Sequence, residues 1–145
     1  MKRTLIVVAD AVRARLFAYE EGADPAHELH EVRDLVSPGR KLRVGEPVPD
    51  DSRDAHAAET DAKFARDVVQ ALDEIITQDG ARHVVVAASP KMLGEMRRHD
   101  GVLHRADLRV DEIPTILTTL TVAQLHDHLA AMDLIPPRRR LAAAR

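Results

Sequence analysis

The chain has 145 residues, a net charge of −3, 45% hydrophobic and 31% charged residues. That is one ordinary globular domain; disorder, a fibrous repeat and a membrane-spanning run of about 20 apolar residues are excluded. Without cysteine there is no disulfide, thiolate metal site or cysteine nucleophile, and an acidic balance leaves any nucleic-acid contact to a local basic patch.

The first residues imitate a signal peptide, but Asp10, Arg13 and Arg15 break the apolar run early, so a cytoplasmic protein with no membrane partner is expected. Leu5 to Ala9 is a continuous β-branched run and predicts a strand buried on both faces. Arg13 to Glu20 separates Ala14, Leu16 and Ala18 from Arg15, Phe17 and Tyr19 at period two, which predicts a strand paired back by a hairpin. Residues 28–36 are ambiguous. Asp24-Pro25 followed by Leu29, Val32 and Val36 favours a helix on local signals, and an antiparallel strand is the alternative.

Residues 37–56 carry three prolines and two glycines and are expected to form a long loop. Loops of about twenty residues inside a compact domain are mostly functional or mobile. Basic Arg40, Lys41 and Arg43 occupy its first half and Asp50, Asp51 and Asp54 its second. A helix is predicted over residues 58–78, with Phe64, Val68, Leu72, Ile75 and Ile76 as its apolar stripe and Gly80 ending it. Val84 to Ala88 predicts a second buried strand. Ser89 and Pro90 then suit the N-cap and first turn of a helix running towards Arg98. Leu108 to Ile113 predicts a last strand. Thr121 is expected to cap a final helix whose face is Leu125, Leu129 and Met132 and which stops at Pro136-Pro137. The order predicts a single α/β domain, with a mixed sheet of about five strands and about three main helices over residues 1–135. A basic tail, 136–145, follows with Arg138, Arg139, Arg140 and Arg145.

The hairpin Leu5–Glu20, the helix with Phe64-Ala65-Arg66, the run Ser89-Pro90-Lys91-Met92-Leu93-Gly94-Glu95-Met96-Arg97 and the closing Glu112-Ile113-Pro114 together resemble the bacterial host attachment protein family. That family is similar to the middle domain of archaeal and eukaryotic peptide-chain release factors. The resemblance implies a sheet of RNase H-type topology, and it tips residues 28–36 towards strand. In the release factors the loop before the first long helix carries Gly-Gly-Gln. Here Gly39 and Gly45 are separated and no Gly-Gly-Gln occurs, so hydrolysis by that mechanism is not expected. The resemblance leaves binding of ribosomal or transfer RNA through the 37–56 loop as the leading expectation, with no cofactor and no DNA partner.

The residues offered for RNA or anion binding are Arg40, Lys41, Arg43, Arg53, Arg66, Ser89 and Lys91. Guanidinium forks match phosphate oxygens, and Ser89 and Lys91 stand where a strand end meets a helix start, the edge at which open α/β sheets bind ligands. Each has a plainer reading: solvated loop and surface charge, or an ordinary helix cap. Arg97 can extend the same surface. Asp50, Asp51, Asp54, His56, Glu59 and Asp61 are oxygen-rich but match no ion-loop spacing, so no metal site is expected. His56 is the weak candidate for a catalytic base where the loop meets the helix. The other histidines are expected to be surface or partly buried groups. Asp10, at the end of a central strand, sits where RNase H-like enzymes hold an acid, but the several acids of a two-metal nuclease are not assembled. The alternatives to RNA binding are a protein-interaction module, homodimeric through a sheet edge or the last helix, and a hydrolase using His56 and the loop acids.

Overall fold

In the computed structural model the described residues are 3–20, 29–37, 50–99 and 107–137, with the side chains of 50–60 and 79 excepted. Strands β1 (Arg3–Ala9), β2 (Arg13–Glu20) and β3 (His30–Val36) are followed by helix α1 (Asp50–Asp79), β4 (His83–Ala87), α2 (Pro90–Arg97), β5 (Arg109–Ile113) and α3 (Val122–Ala131). The five strands form one sheet in the order β3-β2-β1-β4-β5. β1, β2 and β3 pair antiparallel, while β4 and β5 run parallel to β1. The chain is thus a single α/β domain with a mixed five-stranded sheet and three helices, in line with the RNase H-type topology that the resemblance implies.

Residue alternation divides the central strands between two cores. Leu5, Val7, Leu16, Val84 and Val86 face α1 and α2, where Phe64, Leu72 and Met96 cover them. Ile6, Val8, Phe17 and Val85 face the other way, under Leu125 and Leu129 of α3. This is why β1 and β4 read as unbroken apolar runs: both of their faces are covered.

Within the ambiguous 28–36 segment, His30–Val36 form a strand. β3 is a sheet edge paired only with β2 among the described residues, and its register shifts opposite Leu16 and Phe17. That irregularity breaks the period-two pattern and leaves Val32 and Val36 exposed, which is how three apolar residues came to mimic a helix face.

Helix α1 starts at Asp50, eight residues before the expected start, so residues 50–56 of the expected 37–56 loop are helical. Nothing breaks a helix after Pro49, and Asp50 and Asp51 stand at the end where the helix dipole favours carboxylates. At its other end Gly80 takes φ +71° and its amide donates to the Ile76 carbonyl at 2.8 Å, the glycine termination the sequence predicts.

α3 also departs from expectation. It ends at Ala131, well before the prolines, and Met132 is exposed rather than part of the buried face. Asp133 adopts φ +59°. The Asp133 amide donates to the Ala130 carbonyl at 3.0 Å and the Leu134 amide to the Leu129 carbonyl at 3.1 Å. This is a Schellman ending with aspartate in the left-handed position. It turns the chain so that Ile135, not Met132, enters the core.

Candidate functional site

The expected anion-binding residues separate into three groups. Arg40, Lys41 and Arg43 lie outside the described residues. Arg53 and His56 lie on the early turns of α1, where only the backbone is described. Arg66, Ser89 and Lys91 are described in full.

Ser89 is a working helix cap. Its backbone is extended, and its Oγ accepts the Met92 amide at 3.2 Å. Pro90 opens the helix without an amide to satisfy. Lys91 is exposed, but its Nζ lies 3.6 Å from Oδ2 of Asp61, a buried carboxylate of α1. The Lys91 charge therefore balances an acid held between two helices.

Most described arginines are likewise committed to carboxylates. Arg3 pairs with Glu20, Arg33 with Glu74, Arg98 with Glu95 and Arg109 with Asp111. Arg97, offered from sequence as an extension of the positive surface, pairs with Glu112 of β5, and the hydrogen bond to that carboxylate raises its pKa. Arg13 donates from Nε and Nη2 to both oxygens of Asp34, at 3.0 and 2.7 Å. That bidentate bond raises the Arg13 pKa and lowers that of Asp34. Against this background Lys63 and Arg66 stand out. Both are exposed on α1, about one turn apart, with no ion pair among the described residues.

At the carboxyl edge of β1 the structure places a shallow cavity of about 630 Å³ lined by Asp10, Arg13, Arg15, Thr118 and Thr121 among others. Its charged groups are all occupied. Asp10 Oδ1 accepts the amides of Val12 and Arg13 at 2.7 and 2.8 Å, and Oδ2 accepts the Thr118 hydroxyl at 2.6 Å. Asp10 thus closes the hairpin and fastens the segment between β5 and α3. Arg15 does the same from the next strand. Its Nη1 donates to the Leu120 carbonyl at 2.9 Å and its Nε to Glu31 at 3.2 Å, with the guanidinium over the Phe17 ring. Asp10, at the position of an RNase H-like acid, is thus a structural clamp, and Arg15 is a second one that no sequence motif marks. The available signal was an arginine alternating with Phe17 and Tyr19 on a face that is otherwise core.

One histidine differs from expectation. His126 is fully buried, with Nε2 donating to the Pro136 carbonyl at 2.8 Å and its ring edge-on to Tyr19. His83 is partly buried, as expected, and donates from Nε2 to Asp111 Oδ2 at 2.6 Å. Among the described residues no cluster of three or more histidine or acidic side chains could hold a metal ion. No described helix is long and apolar enough to cross a membrane.

With this geometry in place, comparison with known proteins gives one family. The model described as "Protein required for attachment to host cells" matches residues 5–129. No curated protein matches the chain. Among solved structures, it is similar to the Aquifex aeolicus member of the Ppx/GppA family at 15% identity and TM-score 0.42, over 77% of this chain and 35% of that one. An archaeal translation termination factor matches at 17% identity and TM-score 0.40, over 90% of this chain and 39% of that one. An exopolyphosphatase from Cytophaga hutchinsonii matches at 13% identity and TM-score 0.38, over 77% and 34%. The chain thus spans little more than a third of the length of these structures. At such identities and scores none of the three speaks to what this chain binds or catalyses.

Proposed function

The chain belongs to the family of proteins described as required for attachment to host cells, and from that footing we propose that it is a non-catalytic binding domain for ribosomal or transfer RNA. In this reading it works in the cytoplasm, and RNA phosphates are held by the arm before α1 and by the exposed face of α1. The observation that carries the proposal is the pair Lys63 and Arg66. They are exposed and free of ion pairs among the described residues, where most of the other described arginines are paired with carboxylates. They lie downstream of Arg40, Lys41, Arg43 and Arg53 along one continuous stretch of chain. Unpaired cations are what a protein of net charge −3 needs in order to attract a polyanion locally.

The test is co-sedimentation of the full chain with ribosomes, and retention on immobilised tRNA, at low salt. Wild type is expected to be retained and the Lys63→Glu, Arg66→Glu double variant released. Absence of wild-type retention on both overturns the proposal.

A second reading has its own observation. β3 is an edge strand that exposes Val32 and Val36, which suits strand-to-strand association with another protein or a second copy. A mass by light scattering that rises with concentration, and falls back for Val32→Lys, supports that reading. A hydrolase built on His56 and the loop acids draws less support. The side chains of His56 and of Asp50, Asp51 and Asp54 lie outside the described residues, so no described contact favours it.

A further inference from the structure

On the α3 face of the sheet, most of the central strand residues are apolar and sealed: Ile6, Val8, Phe17, Val85 and Ala87 are all fully buried. One row breaks this rule. The register sets Tyr19, Thr4, His83 and Arg109 side by side across β2, β1, β4 and β5. With strands about 4.8 Å apart, four hydrogen-bonding side chains form a line of roughly 14 Å.

The row lies at the amino end of the parallel strands, beside a cavity of about 360 Å³. Tyr19 and Thr4 are its buried floor, and Leu134, Ile135 and Pro136 form an apolar wall. Arg3, Arg82 and Arg109 stand around it. His83 is fixed in place by its bond to Asp111, with Nδ1 3.5 Å from the Thr4 hydroxyl. Arg3 and Arg109 are balanced by Glu20 and Asp111. Arg82 is exposed and has no ion pair among the described residues, so the opening carries excess positive charge.

We propose that this cavity binds a small phosphate monoester, with the phosphoryl group among the arginines and the organic body against the Leu134–Pro136 wall. The volume falls in the range of pockets that hold small organic ligands. Guanidinium forks and a hydroxyl suit the three terminal oxygens of a monoester. The apolar wall gives the organic part a surface that free phosphate cannot use. This site is independent of the RNA reading, because Lys63 and Arg66 belong to α1, which packs on the opposite face.

The experiment is titration of the full chain with adenosine 5′-monophosphate, followed by calorimetry and amide NMR. Adenosine, citrate and a short oligoribonucleotide with no terminal phosphate serve as comparison probes. Binding of the monophosphate is expected, with shifts centred on Thr4, His83 and Ile135. Affinity should fall about tenfold or more in both Arg82→Ala and Arg109→Ala, the loss of one charge-assisted hydrogen bond. Both residues are exposed, and circular dichroism checks that the variants fold. Lys63→Ala, Arg66→Ala should bind like wild type. The proposal is overturned by no binding at millimolar monophosphate, by unchanged affinity in both arginine variants, or by adenosine, citrate or the oligonucleotide binding as tightly.

Discussion

Arg13 and Arg15 are two residues apart on β2, each bonded to a carboxylate of β3, yet the structure assigns them very different weights. Arg15 is 12% exposed and holds three kinds of partner at once. Nη1 donates to the Leu120 carbonyl at 2.9 Å, the rest of the fork reaches Glu31, and the cation lies 4.9 Å from the Phe17 ring centre. Truncation to alanine removes a charge-assisted bond to a carbonyl of the β5–α3 segment, about 1.5–2 kcal/mol. It also removes a part-exposed ion pair, below about 1 kcal/mol, and a cation–π contact of about 0.5–1 kcal/mol. These share one side chain and do not simply add, so Arg15→Ala is expected to cost about 3 kcal/mol. With a urea slope near 2 kcal/mol/M, the unfolding midpoint falls by about 1.5 M. Arg13 has the better-aligned pair, bidentate to Asp34, but both side chains are more than 40% exposed. Solvent screens such a pair, so Arg13→Ala is expected to leave the midpoint nearly unchanged. Urea denaturation followed by circular dichroism compares the two directly. Equal losses would refute the reasoning, because hydrogen-bond geometry and not burial would then be setting the energy.

Further outcomes follow from the same structure. Asp34 accepts two bonds from Arg13, so its folded pKa lies below the ordinary value near 3.8. Its small contribution to stability is therefore present above the ordinary carboxylate range and is lost only as pH falls through that lowered value. A carboxyl-carbon NMR titration should place Asp34 below an ordinary aspartate and return it towards 3.8 in Arg13→Ala. Thr121→Ala removes a capping box in which Thr121 Oγ1 accepts the Gln124 amide at 3.1 Å, and should cost about 1 kcal/mol by urea unfolding. Leu125→Ala opens the core under α3 at a fully buried position and should cost about 2–5 kcal/mol in the same assay.

What could be read in advance follows from which residues have two buried sides. β1 and β4 declared themselves because Leu5 to Ala9 and Val84 to Ala87 are apolar without interruption. The α1 stripe and the Ser89 cap declared themselves because spacing and cap chemistry are local properties. β3 did not, because an edge strand with a register shift buries little, and exposed Val32 and Val36 fall with Leu29 at a helical spacing instead of alternating. The first turns of α1 did not, because residues 50–57 have no apolar periodicity to mark a helix. The end of α3 did not either, since a left-handed aspartate has no signal as strong as glycine's. The candidate site was legible only as a composition of charges. Which cations are free depends on tertiary partners: Lys91 looked available and is held by Asp61, whereas Arg82, which no sequence pattern singles out, borders the cavity opposite α1. The row Tyr19, Thr4, His83 and Arg109 joins residues from four strands and becomes visible only once the register is known.

The most direct measurement of the RNA-binding account is the salt dependence of tRNA binding by wild type and by the Lys63→Ala, Arg66→Ala variant. The account predicts that log affinity falls linearly with log salt for wild type, and that the variant's slope is shallower by about 1.4, two phosphate contacts at roughly 0.7 each. Identical slopes, or no wild-type binding at low salt, would contradict it.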